Sequence, residues 1–123
     1  MRYLGIDFGL RRVGLAISEG LLASPYKVLT GKGFDDLLEQ IKKESNGFDK
    51  LVVGMPEGKI GQTVKGLIKA LRKIGLDVEE AEETLSSKKA LSRMVELDIP
   101  LKKRKVSDDI AAAIILQEYL DNQ

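Results

Sequence analysis

Asp7 closes the apolar run Tyr3-Leu4-Gly5-Ile6 and is followed at once by Phe8-Gly9. An ionised carboxylate among apolar neighbours is costly unless a cation balances it. The position therefore suits either a metal ligand or an Asp whose side chain starts a turn. A second acidic cluster, Glu79-Glu80 and Glu82-Glu83, follows a short apolar stretch, and at least two of its four members read as a solvated edge. Asp108-Asp109 head the run Ile110 to Leu116, where acids in a first helical turn complement the helix dipole. The chain has no His and no Cys, which excludes thiolate zinc sites, Ser-His and Cys-His nucleophiles and any imidazole base. Carboxylates at strand ends and at a helix start in such a chain suit a hard cation held on oxygen, Mg²⁺ or Mn²⁺. Such an ion activates a water and stabilises a phosphoryl leaving group without help from His.

Basic residues accompany these acids. Arg11-Arg12 follow directly after Asp7-Phe8-Gly9, and Lys102-Lys103-Arg104-Lys105 stand just before Asp108. Cations beside an acidic site suit an approaching phosphate backbone; the plainer alternative for Lys102 to Lys105 is a solvated loop that balances nearby acids. Lys plus Arg is 20 and Asp plus Glu is 19, a net +1, so a nucleic-acid surface has to be local. Aromatic residues are only 5%, so recognition rests on backbone and shape more than on base stacking.

The elements that position these groups follow from the pattern of apolar residues. Tyr3 to Phe8 and Val13 to Ser18 read as two antiparallel strands joined through Gly9-Leu10-Arg11-Arg12. Leu21 to Thr30 holds Pro25, which places it at an edge or a bulge. Phe34, Leu37, Leu38 and Ile41 recur at helical spacing, and Asn46-Gly47 ends that helix. Leu51 to Met55 reads as a strand covered on both faces and parallel to its neighbour. Pro56 to Gly61 reads as a loop, Val64 to Leu71 as a second helix closed near Gly75, and Leu76 to Ala81 as another strand. Leu85 to Leu97 reads as a third helix, and Ser107 caps a last one reaching about Leu120. Hairpin strands followed by alternating helices and strands predict a mixed sheet with helices on both faces, a three-layer α/β domain.

A chain of 123 residues, 43% hydrophobic and 32% charged, predicts one domain over 1–123. Ile110 to Leu116 is too short to span a membrane, and the N-terminus shows no signal-peptide pattern. The expectation is a soluble cytoplasmic protein with no membrane partner.

Tyr3 to Ser18 resembles the opening motif of the YqgF family, Holliday-junction-resolvase-like proteins regarded as pre-16S rRNA nucleases. Three further blocks fall in the family's order: Leu51-Val52-Val53-Gly54-Met55-Pro56, Glu82-Glu83-Thr84-Leu85-Ser86-Ser87, and Val106 to Ala112 with Ile114 to Gln117. The match runs over nearly the whole chain. The resemblance implies a ribonuclease H-like fold with a five-stranded mixed sheet, and a catalytic, metal-binding set made of Asp7, Glu83 and Asp108. It also implies rRNA precursor as substrate, and it agrees with the reading from the residues of Mg²⁺ or Mn²⁺ as cofactor and of phosphate contacts from Arg11, Arg12, Lys102, Lys103, Arg104 and Lys105. Two residues depart from the family pattern: Glu82 replaces an Asp, and Thr84 stands where the family has Arg. The second change removes a bidentate phosphate fork, leaving Arg11, Arg12 and Lys88 as the available cations.

Three other functions fit parts of the pattern. A DNA-junction resolvase would use the same site. A non-catalytic nucleic-acid-binding module is consistent with Thr84. An actin-like ATPase shares the Asp-x-Gly hairpin, but it needs two such domains around the nucleotide and this length allows one, so no nucleotide cofactor is expected.

Overall fold

The computed structural model describes residues 1–56, 58–82 and 107–123. β1 (Tyr3–Phe8), β2 (Arg12–Ser18) and β3 (Ala23–Thr30) form an antiparallel meander, followed by α1 (Phe34–Glu44), β4 (Lys50–Met55), α2 (Ile60–Lys73), β5 (Val78–Glu82) and α3 (Asp108–Asp121). The sheet order is β3-β2-β1-β4-β5. β1 pairs antiparallel with β2, from Tyr3 opposite Ser18 to Phe8 opposite Val13, and parallel with β4. β5 extends the parallel half, with Gly54 opposite Ala81.

Alternation along the strands sorts the sheet into two chemically different faces. Leu4, Ile6, Phe8, Val13, Leu15, Leu51, Val53 and Val78 pack with Leu37 and Ile41 of α1 and with Val64, Leu67, Ile68 and Leu71 of α2. Each large aliphatic side chain fully buried there contributes about 1.5–3 kcal/mol. The opposite face is built of small residues. Gly5, Gly14, Ala16, Val52, Gly54 and Ala81 leave a shallow floor on which α3 lies. Every residue of α3 from Ile110 to Gln117 is buried, which is why this helix carries apolar residues around its whole circumference instead of along one stripe.

Within the described residues the expected elements are found, with small differences at their ends. β3 is both an edge strand and irregular: its register slips between Leu15 and Ala16 of β2, next to Pro25. β4 is interior and parallel to both neighbours. The expected loop over Pro56 to Gly61 ends early, because helix α2 starts at Ile60. Gly58 has a φ of 85° and reverses the chain. The N–H groups of Gly61 and Gln62 then bond back to the carbonyls of Gly58 and Lys59, which winds the first turn ahead of the apolar residues that signal the helix. Ser107 stands at the N-cap of α3, but its hydroxyl donates to Asp109 Oδ1 instead of accepting a backbone N–H. The expected helix over Leu85 to Leu97 lies outside the described residues.

Candidate active site

Asp7 is the next-to-last residue of β1 and points, like Gly5 two residues before it, to the α3 face of the sheet. Its cross-strand partner on β2 is Gly14. Directly above Gly14 lies the first peptide of α3: a Cβ added at Gly14 would overlap the carbonyl carbon and oxygen of Asp108 and come within 2.8 Å of the amide nitrogen of Asp109. Residues opposite each other in an antiparallel pair have Cα atoms about 4.5–5.5 Å apart. The backbones that carry Asp7 and Asp108 are therefore one strand spacing apart, and both acids lie at the same end of the sheet. Two acids far apart in the chain are brought together because Gly14 has no side chain.

The far end of α3 is fixed independently. Gln117 is buried, its Oε1 accepts from the backbone N–H of Ala23 at 2.8 Å, and its Nε2 donates to the carbonyl of Leu21 at 3.1 Å. Between these anchors the helix crosses the sheet over Gly5, which faces Ala112 and Leu116, and over Gly54, which faces Ile115. The position of Asp108 is thus set by a rigid, buried rod seated on glycines, as a site needing sub-ångström placement requires.

The two acids at the head of α3 have different jobs. Asp109 is engaged locally: its Oδ1 accepts the hydroxyl of Ser107 and the backbone N–H of Ile110 at 3.0 Å. Asp108 turns away from the helix, and its Oδ2 meets Nε of Arg12 at 3.1 Å. Arg12 starts β2 on the same face as Gly14, two residues nearer the turn. Its carbonyl accepts the N–H of Gly9 at 2.9 Å and closes the hairpin; that of Arg11 accepts the N–H of Gly31 at 3.1 Å.

On β5, Ala81 packs beneath α3 whereas Val78 packs among the α2 residues. Alternation then places Glu82 on the α2 side, away from Asp7 and Asp108. Glu83, Thr84, Lys88, Lys102, Lys103, Arg104 and Lys105 lie outside the described residues. Among the described residues no group of three acidic side chains is near enough to hold a metal ion; Asp7 and Asp108 supply a pair. The donor types fit a hard cation, since every acid at this end of the sheet offers oxygen and the chain has neither His nor Cys to offer a softer ligand. Gly14 is the functional position that the sequence reading passed over. A glycine inside an apolar strand is itself the signal, because it marks close approach of another backbone.

A mixed sheet in the order β3-β2-β1-β4-β5 with helices on both faces defines the ribonuclease H-like class. Solved structures agree on the fold: the fowlpox virus Holliday junction resolvase superposes with a TM-score of 0.69 at 12% identity, covering 99% of both chains. Thermus thermophilus RuvC gives 0.63 at 15% identity, covering 99% of this chain and 95% of its own. The family described as "RuvX: Holliday junction resolvase" matches residues 1–122. A protein of Natranaerobius thermophilus named "Putative pre-16S rRNA nuclease" is 36% identical over 135 residues, covering all of this chain and 96% of the relative. The chain belongs to the RuvX family, the one its YqgF-like motifs indicate, and is an enzyme of the nuclease class. Among the described residues no helix is long and apolar enough to cross a membrane.

Proposed function

We propose that this nuclease hydrolyses phosphodiester bonds in structured RNA with the help of Mg²⁺ or Mn²⁺, and that its substrate is the 5′ end of pre-16S rRNA. The observation that carries the reading is the convergence of Asp7 and Asp108 across Gly14. Two ionised acids carried on neighbouring backbones favour a cation beside them. The proposed ligands are Asp7, Glu83 and Asp108. A bound divalent ion supplies an activated water and charge neutralisation at the leaving oxygen. The chain's own contribution is placement. β1 holds Asp7 by pairing with β2 there and with β4 up to Ile6, α3 holds Asp108 over Gly14, and Arg11 and Arg12, with Lys102 to Lys105, hold the phosphates of the strand being cut. The cytoplasm, where rRNA is processed, is the proposed location. The relative named for pre-16S rRNA supports the choice of RNA.

The family description favours one second reading, cleavage of a four-way DNA junction by the same site. Incubating the purified protein and Mg²⁺ or Mn²⁺ with labelled rRNA precursor, single-stranded RNA and a four-way DNA junction separates the two. Ion-dependent cutting of the precursor at a defined position is the expected result. Selective cutting of the junction replaces the RNA reading, and no cutting of any substrate overturns both.

A further inference from the structure

We propose that Arg12 is a movable counter-charge, shared between Asp108 and the substrate: it neutralises Asp108 while no divalent ion is bound and turns to a substrate phosphate when an ion takes its place. The inference rests on the metal-dependent reading above and adds a coupling between ion binding and substrate binding that the site residues alone do not specify.

The two partners of this ion pair are held very differently. Asp108 is fixed. Its peptide is pressed onto Gly14, its helix is buried along Ile110 to Gln117, and its side chain is only 32% exposed. Arg12 is fixed at its backbone by the hairpin bond from Gly9 and by pairing with Thr30 of β3, but its side chain is 67% exposed. When the pair opens, the guanidinium is the part that moves, and it loses little packing by doing so.

The pair is also weak enough to open. It is made through Nε to a single carboxylate oxygen at 3.1 Å, and exposed pairs of this kind strengthen association by factors of about 1.4 to 5. Asp7 and Asp108 would hold a divalent ion, and Arg12 would then face a competitor of twice its charge for the Asp108 carboxylate. Freed from Asp108, the exposed guanidinium would be available to a substrate phosphate, which its planar fork suits. Because coupling is reciprocal, substrate that engages Arg12 also makes ion binding tighter.

The test is calorimetric titration of Mn²⁺ into the full chain without nucleic acid, at low ionic strength, for the parent, Arg12→Gln, Arg11→Gln and Asp108→Asn. Arg11→Gln removes the same charge from the neighbouring residue and controls for the general field. Arg12→Gln should bind Mn²⁺ about two- to fivefold more tightly than the parent, with Arg11→Gln unchanged and Asp108→Asn much weaker. In a companion measurement, Ca²⁺ should tighten binding of labelled rRNA precursor to the parent more than to Arg12→Gln. Equal tightening of Mn²⁺ binding by Arg12→Gln and Arg11→Gln overturns the proposal, as does unchanged or weaker Mn²⁺ binding by Arg12→Gln while Asp108→Asn loses it. Those results leave the metal-dependent reading standing. Mn²⁺ binding by Asp108→Asn as tight as the parent's, or no binding by any of the four, overturns that reading and the proposal together.

Discussion

The peptide of Asp108 lies where a side chain on Gly14 would be. Gly14 faces Asp7 across the hairpin, so this one missing methyl decides how close the two acids come. Gly14→Ala must push the head of α3 away from the sheet, because the obstructing atoms are backbone. The expected cost is about 1–3 kcal/mol of stability and about a hundredfold of cleavage rate, the scale of a misplacement near 1 Å. Gly54→Ala is the contrast, since its new methyl meets Cδ1 of Ile115 at 2.7 Å, the mobile end of a side chain. That variant should lose about 1 kcal/mol and keep its activity. Thermal melts beside cleavage rates of both variants check the pair.

Replacing Asp7 or Asp108 by Asn keeps size and hydrogen-bonding shape while removing the charge a divalent ion needs. Each variant should lose cleavage by about a hundredfold or more, as loss of a main electrostatic contributor does. Asp7→Asn should fold at least as stably as the parent in metal-free buffer. Mg²⁺ at about a hundred times its Kd should stabilise the parent by about 2.7 kcal/mol and Asp7→Asn far less. Asp109→Asn keeps an oxygen for Ser107 and Ile110 and should retain most activity. Melting curves with and without Mg²⁺ decide, and equal activity in all three variants sinks the proposed ligand set.

How much of this was legible in the sequence depends on whether the signal is local. The β1–β2 hairpin, the irregular edge strand at Pro25 and the helix ends shortly before the positive-φ glycines Gly47 and Gly75 follow from nearest-neighbour chemistry, and the structure has them. Asp7 and Asp108 were readable as candidates because each interrupts or heads an apolar run. Their nearness was not, since it depends on α3 crossing the sheet over Gly5, Gly14 and Gly54, and no local pattern says which helix will lie on which glycines. The Arg12–Asp108 pair was hidden for the same reason. The sequence marks both as charged, and only the tertiary crossing makes them partners. The early start of α2 was missed because Gly58 and the turn bonds that initiate it carry no apolar signal.

Alkaline pH should destabilise the fold through three groups whose shifts share one sign. Lys27 is raised above 10.5 by its bond to Glu44. Burial opposes the charge on Lys50, but Tyr119, Asp77, Glu79 and Tyr3 outweigh it and its pKa is also raised. Burial pushes the Tyr119 phenol above 10.0, against the pull of Lys50. In each case the folded state holds its proton to higher pH than the unfolded chain, so the stabilisation is complete below the unfolded pKa and disappears as pH rises through the folded one. Stability should fall from about pH 10 upward. Tyr119→Phe and Glu44→Gln should each flatten that decline, as followed by denaturant midpoints across the pH range. A parent whose midpoint stays level as the pH is raised through this range rules out the assignment.

Neutralising Lys102, Lys103, Arg104 and Lys105 together should weaken RNA binding. It should also lower the slope of log K against log salt by about 0.7–0.9 for each phosphate that the protein no longer neutralises, with little change in melting temperature. Unchanged affinity at low salt would mean that these four residues form a solvated loop and do not touch the substrate.

Glu82, the last residue of β5, and its sequence neighbour Glu83 should behave oppositely. Val78 belongs to the α2 side of the sheet and Ala81 to the α3 side, so a period of two assigns Glu80 and Glu82 to the side away from Asp7. Glu82 is exposed there, and Glu82→Gln should cleave like the parent. Glu83 is the proposed third ligand, and Glu83→Gln should lose cleavage on the scale of Asp7→Asn while still binding RNA through its basic residues. The opposite outcome, an inactive Glu82→Gln beside an active Glu83→Gln, would shift the acidic motif by one residue. The comparison of Thr84 with the family's Arg would then fall, because the residue after the ligand would be Glu83. Restoring the family pattern tests that comparison directly: Thr84→Arg should tighten RNA binding by adding a bidentate phosphate fork, and an unchanged Kd would show that Arg11 and Arg12 already provide it.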